Sequence, residues 1–146
     1  MKTHLLIVFS LVLLAACSAT QIIRKKSNDA KVQDQLEALF TACQDQAYAT
    51  AAASIVYRGD DEDRRWKDVS NYEAEDEKND VERVCKDIRD LLAGSDSYAW
   101  GEYLEEAESE GVWHVQAVRF EKGVQRQERH FSFLMIGEVF ALGDID

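Results

Sequence analysis

Residues 131–144 read FSFLMIGEVFALGD, two apolar runs on either side of Gly137 and Glu138. Aromatic and aliphatic residues at this density favour β-strands, and the short polar break predicts a tight turn between them. We expect Phe131, Phe133 and Met135 on one face of the first strand and Leu134 and Ile136 on the other. The strand is therefore predicted to be buried on both faces near its end. One face would lie on helices, and the other needs cover from a partner, a second copy or its own curled edge.

The preceding segments show the same pattern from residue 95 onward. Aromatic and β-branched runs are separated by glycines at positions 111, 123, 137 and 143. The intervening turns are too short for crossover connections. The sequence therefore predicts a curved antiparallel meander of three to four strands.

Helical periodicity dominates the chain upstream of residue 95. Residues 29–57 carry apolar side chains at steps of three and four, which predicts one long helix that Gly59 ends. A second helix is predicted over residues 71–93, with Ser70 and Glu73 as a capping box and Gly94 as its stop. The predicted class is α+β, with two N-terminal helices packed on the meander.

This order of elements, together with the FSFLMIGEVFALGD strand pair, is similar to small cystatin-like and NTF2-like domains. The resemblance would cover residues 29–142. It implies a sheet wrapped around a helix into a cone, whose mouth holds a ligand, an active site or nothing in different members. No catalytic residue of an enzymatic member matches this chain, so none is carried over.

The first residues predict export. Lys2 precedes an apolar stretch from Leu5 to Ala16, which is too short to span a bilayer. Leu14-Ala15-Ala16-Cys17 resembles the lipobox of bacterial lipoproteins, which implies cleavage before Cys17 and lipidation of its thiol. We expect a signal peptide over residues 1–16, a lipidated tether over 17–28 and one domain over 29–146. Ser18 after the cysteine resembles the pattern that favours the outer membrane, facing the periplasm. The alternative is an ordinary secretory signal that contains a cysteine.

The charge balance narrows the range of partners. The chain has 28 acidic and 17 basic side chains, and removal of residues 1–16 would take away Lys2 and no acid, leaving 16 basic side chains and a net charge of −12. Such a domain repels nucleic acid and anionic lipid, so membrane attachment would depend on the acyl chains. Arg24, Lys25 and Lys26 form a small basic cluster that either touches the bilayer surface or is solvated in the linker.

Two cysteines remain for the domain. Cys43 and Cys85 each lie on the apolar stripe of a predicted helix, and an exported chain meets oxidising conditions. We predict a disulfide between them; two buried free thiols are the alternative.

No metal or cofactor is predicted. His114 and His130 lie on neighbouring predicted strands, but zinc needs three or four ligands and no third is marked by spacing. The acidic run at residues 60–63 fails the calcium-loop spacing. Trp66 is expected to fix its own loop to the domain. The acidic residues along the predicted first strand are explained as its solvent side; they are Glu102, Glu105, Glu106, Glu108 and Glu110.

The leading functional hypothesis is a noncatalytic envelope lipoprotein that binds a protein partner, a second copy or a small ligand through its sheet face or cone mouth. Aromatic side chains dominate contact energies in interfaces. The candidate binding residues are Trp100, Tyr103, Trp113, His114 and Phe120. The alternative is a pocket enzyme, isomerase- or hydrolase-like, with His114 or a nearby glutamate as base.

Overall fold

The computed structural model describes residues 26–146, and this part of the chain has the α+β architecture predicted from the sequence. The predicted signal peptide, Cys17, Arg24 and Lys25 lie outside the described residues. The helices are α1 (Asn28–Gln44), α2 (Tyr48–Ala52) and α3 (Glu75–Ala93), and the strands are β1 (Ser97–Glu108), β2 (Gly111–Lys122), β3 (Gln125–Ile136) and β4 (Val139–Ile145).

The strands form one antiparallel sheet in the order β1-β2-β3-β4, which confirms the predicted meander with four strands. Two-residue turns join them, because the last paired residues are Glu108 with Gly111, Lys122 with Gln125, and Ile136 with Val139. Gly123 and Gly137 adopt left-handed backbone angles, with φ of 57° and 62°. Such angles match tight hairpin turns to the twist of the strands.

The core lies between the helices and one face of the sheet. Phe131 and Phe133 of β3 are fully buried there, and the ring of Phe40 from α1 packs edge-on to Phe131 at 5.6 Å. Met135 was predicted to share this burial, but it is 47 % exposed. The residue lies on the last pair of rungs before the β3–β4 turn, opposite Phe140.

Residues 54–70 complete the sheet at its β4 edge. Val56 donates its backbone N–H to Leu142 O at 2.8 Å, and Leu142 donates to Ser54 O at 2.8 Å. Val56 also bridges Val69 in antiparallel fashion. The loop between them places Trp66 edge-on to Trp113 at 5.7 Å, on the face opposite the helices. The loop itself therefore supplies part of the cover that the outer face was predicted to need, and Trp66 contacts the domain as expected.

The predicted helix over residues 29–57 was wrong in its second half. The first helix ends at Gln44, Gln46 takes a left-handed φ of 56°, and only the short α2 follows. Residues 54–56 pair with β4 instead of continuing the helix. Hydrogen bonds to an otherwise open sheet edge outweigh the helical preference of this alanine-rich segment. Within residues 26–146, three helices therefore replace the predicted two, and Gly59 ends none of them.

The second predicted helix begins later than expected. It starts at Glu75, because the Ser70 N–H is bonded to Ile55 O at 2.8 Å and so belongs to the edge pairing. The Ser70–Glu73 capping box does not form. Glu77 is buried instead, accepting from the Asn71 backbone N–H at 2.6 Å and from Arg64 Nη1 at 2.7 Å. Gly94 follows the helix as its C-cap, as predicted.

Cys43 of α1 and Cys85 of α3 are joined by a disulfide, with their Cα atoms 4.7 Å apart and a sequence separation of 42. Both side chains are fully buried within the core cluster. The bond fixes the two long helices to each other, and a crosslink over a loop of this length restricts the unfolded chain.

We predict that Cys43→Ala/Cys85→Ala lowers the free energy of unfolding by about 4 kcal/mol, the loop-closure entropy expected for this separation. Urea unfolding at equilibrium measures the loss. The wild type in reductant is the control, since it breaks the crosslink and keeps both sulfur atoms. An unfolding midpoint that reductant leaves unchanged would contradict the prediction.

Candidate functional site

A bulge in β1 decides which side chains meet at the candidate site. Trp100 pairs with Val118 and Tyr103 pairs with Gln116, so Gly101 and Glu102 together stand opposite one residue, Ala117. A Cβ on Gly101 would lie 2.9 Å from Ala117 Cβ, which explains the glycine. The extra residue turns both aromatic side chains toward the helices.

Gln116 holds this bulge in place. Its side chain is fully buried, and its Nε2 lies 2.9 Å from Ala117 O, 3.2 Å from Gly101 O and 3.4 Å from Glu102 O. Its Oε1 accepts from Gln33 Nε2 of α1 at 3.1 Å. One buried amide therefore supplies two hydrogens to the carbonyls at the bulge and joins the sheet to α1.

Beyond the bulge, Tyr103, Glu105 and His114 form a connected polar cluster. Tyr103 Oη lies 2.7 Å from Glu105 Oε1 and 2.7 Å from His114 Nδ1. Asn28 at the start of α1 donates to Glu105 Oε1 at 3.1 Å. A phenol has one proton, so when Tyr103 donates it to Glu105, His114 Nδ1 must carry the hydrogen that reaches Tyr103.

The surroundings shift the pKa values of all three groups. Burial lowers the pKa of His114 below its ordinary 6.5 and outweighs the attraction of Glu105. Hydrogen bonds from Asn28 and Tyr103 lower the pKa of Glu105, and burial together with the bond to Glu105 raises the pKa of Tyr103. At neutral pH the cluster is therefore one carboxylate held by neutral donors.

The cluster borders a groove of about 410 Å³, which we call the tip groove because it lies between the β1–β2 and β3–β4 turns. Val112 and Met135 are 46 % and 47 % exposed in its wall. The charged side chains that line it, within residues 26–146, are Glu105 and Glu110. The complete lining is Asn28, Trp66, Glu105, Glu110, Gly111, Val112, His114, Leu134, Met135 and Ile136.

The structure brings together two of the five predicted binding residues. Tyr103 and His114 touch, and the His114 ring packs edge-on to Phe140 at 4.8 Å with only 5 % of the residue exposed. Phe120 is core, close to Phe40 and Phe131. Trp100 packs against the same core cluster at the other side of the bulge.

Trp113 lies on the opposite face of the sheet from the other four. It is buried beneath Trp66 and above Gly143, where an added Cβ would come within 2.5 Å of its ring. Its indole Nε1 has no hydrogen-bond partner among residues 26–146. Trp113 therefore holds the loop that carries Trp66 against the sheet, which is a structural role and not a binding role.

A larger cleft of about 730 Å³ lies at the other end of the sheet, between the end of α3 and the β2–β3 turn. Phe120 contributes to its wall. Acidic and basic side chains are mixed there, among them Asp87, Asp90, Arg126 and Arg129. The tip groove has the more apolar exposed wall and a single sign of charge, so we take it as the candidate site.

His114 and His130 do not share a site. His114 pairs with Phe133 on the helix-facing side, whereas His130 pairs with Ala117, whose position places it on the outer face. In residues 26–146, no group of three or more histidine, cysteine or acidic side chains is arranged to hold a metal ion. Over the same range, no helix has the length and apolar character needed to span a membrane.

The sequence did not identify Glu105 as a member of the polar cluster, nor Asn28 as its hydrogen-bond donor. Glu105 was grouped with the outward-facing carboxylates, but the bulge places it opposite His114 on the helix-facing side. Gly101 in the middle of an aromatic strand is the signal that could have indicated this change of face. Asn28 was assigned to the tether, and the first turn of α1 carries it to Glu105.

Comparison of the chain with models of known protein families, with curated proteins and with solved structures found no match. The case for the site therefore depends on its own geometry.

We predict that His114 makes the protein less stable in mild acid. The unfolded state takes up a proton near the ordinary pKa of 6.5 and the folded state only at lower pH, so the free energy of unfolding falls as pH drops below about 6.5. His114→Asn should make this decline shallower between about pH 7.5 and 5.5, where glutamate stays ionised in both states. Urea unfolding at a series of pH values measures the slope. An NMR titration midpoint of the His114 ring at or above 6.5 would contradict the prediction.

Proposed function

We propose that this protein is a noncatalytic lipoprotein of the bacterial cell envelope, anchored through Cys17 to the outer membrane and facing the periplasm. The Leu14-Ala15-Ala16-Cys17 sequence supports the anchor. The Cys43–Cys85 bond supports an oxidising compartment, because structural disulfides persist outside the cytosol. Helices on one face of an antiparallel meander support a cystatin-like or NTF2-like fold.

The tip groove is the proposed binding surface for a partner protein or small ligand. The observation that carries this proposal is the exposure of Val112 and Met135 in a groove, while the space between helices and sheet is filled by side chains such as Phe131 and Phe133. Exposed apolar side chains in a concave surface with a polar rim are typical of interaction sites. We therefore propose that the partner or ligand binds at the end of the sheet and not in a cone mouth between helices and sheet.

The enzyme alternative depends on His114. Its lowered pKa would keep the imidazole neutral, as a general base requires. However, Nδ1 is engaged with Tyr103 and the ring is packed on Phe140. This degree of engagement favours a positioning role for His114 in the groove wall over proton transfer to a substrate.

The anchor is tested by Cys17→Ser in the native host. We expect wild-type protein in the membrane fraction, with the leader removed and a diacylglycerol on the Cys17 sulfur, and the variant released from the membrane. Fractionation and intact-mass spectrometry measure both. A bare Cys17 sulfur in membrane-free protein would support the ordinary secretory signal instead.

The binding surface is tested by affinity capture with the lipidated protein extracted from membranes. Met135→Glu and Val112→Glu each place a carboxylate on an exposed apolar wall and should abolish capture of a specific partner. Val124→Glu is the matched control, since Val124 is 99 % exposed in the turn at the opposite end. A partner retained equally by all variants would place the interface elsewhere.

A further inference from the structure

The tip groove has the chemistry of a site for a short segment that is both apolar and basic. Val112, Met135 and Ile136 form apolar wall, and the charges that line it within residues 26–146 are the carboxylates of Glu105 and Glu110. The pKa of Glu110 is lowered, chiefly by a backbone hydrogen bond, so this exposed group is anionic at neutral pH. Charges of one sign beside an apolar floor select partners of opposite charge.

The chain itself carries such a segment, close in sequence to a residue of the groove wall. Residues 22–25 read Ile-Ile-Arg-Lys, and Asn28, only three positions later, is part of the groove wall. The six residue-to-residue steps from position 22 to position 28 span at most about 22 Å. The adjoining residue, Lys26, forms an ion pair with Asp34 of α1, so the connecting residues run beside the domain.

We propose that residues 22–25 dock into the tip groove, with Ile22 and Ile23 on the Val112–Met135 wall and Arg24 and Lys25 toward Glu110. This inference rests on the proposed function of the groove and adds a means of regulating partner binding. The tether occupies the site when no partner is bound, and a partner must displace it. The effective concentration of a segment joined this closely is high, so even weak contacts keep it in place.

Two other occupants fit the same surface less well. A second copy related by symmetry would bring Glu105 and Glu110 of each molecule against each other, which is unfavourable for like charges. An anionic bilayer would meet the same two carboxylates. The basic tether neutralises them, and it is already joined to the domain at this end.

Met135 provides a direct probe of the occupied groove. It is the one methionine within residues 26–146, and its thioether is oxidised by peroxide at a rate that follows exposure. The full chain is prepared with Cys17→Ser, so that no acyl chain holds it on a bilayer. Peptide mass spectrometry then measures the rate of sulfoxide formation at Met135 in dilute peroxide.

We expect Ile22→Ser/Ile23→Ser to speed Met135 oxidation about three-fold or more, because it removes the apolar half of the docked segment. Arg24→Glu/Lys25→Glu should speed it as well, and raised salt should do so in the parent chain, since screening weakens the contact with Glu110. Ala19→Ser/Thr20→Ser is the matched control, with two substitutions in the same tether outside the docked residues. It should leave the rate unchanged.

Equal oxidation rates in the parent and Ile22→Ser/Ile23→Ser chains would overturn the proposal. Protection that grows with protein concentration would assign the groove to a second copy, and protection confined to lipidated protein on vesicles would assign it to the bilayer. Either result also overturns tether docking. The oxidation assay uses protein that carries neither lipid nor partner. Its result therefore does not depend on the anchor or capture experiments. Failure of tether docking can thus be distinguished from failure of the proposed function.

Discussion

The buried amide of Gln116 is the interaction on which the candidate site depends. A β-bulge leaves backbone carbonyls out of register with the neighbouring strand, and a buried carbonyl without a donor costs about 1 to 3 kcal/mol. Gln116 Nε2 faces the carbonyls of Gly101, Glu102 and Ala117, and its oxygen accepts from Gln33. This amide therefore places a buried donor at the bulge, beside the strand segment from which Tyr103 reaches His114 and Glu105.

The second structural constraint is the edge of the sheet. Strand β4 would present unpaired backbone groups to solvent, which invites pairing with another chain. Residues 54–56 cover it, and the loop they open carries Trp66 over Trp113. The disulfide between Cys43 and Cys85 joins α1, which ends at Gln44, directly to α3. Residues 54–70 thus pair with the edge of the sheet and cover its outer face, and the predicted first helix is correspondingly shorter.

Much of the fold could be predicted because it follows from local pattern. The glycines at 111, 123 and 137 mark the three turns, and the apolar stripe of α3 ends at Gly94. The prediction was wrong for Gly143, which lies inside β4 against the Trp113 ring. The pairing of Cys43 with Cys85 followed from two helical faces that had to meet. The loss of helix at residues 54–56 could not be found this way, since these residues pair with Leu142, nearly ninety residues later. Of the candidate site, the sequence predicted Tyr103 and His114. It did not predict Glu105, whose face of the sheet is set by the bulge, or Asn28, whose position is set by the start of α1.

The position of Glu105 links the groove to the start of the domain. It sits beside the first turn of α1, where backbone N–H groups favour a negative charge, and it receives the Asn28 amide there. The same carboxylate holds Tyr103, which in turn contacts His114 in the groove wall. Three consecutive hydrogen bonds therefore connect Asn28, at the entrance to α1, through Glu105 and Tyr103 to His114 in the groove wall. The chain that leads to the predicted lipid joins the domain at Asn28, so a substitution of Asn28 would alter the hydrogen bonding of Glu105 in the groove wall.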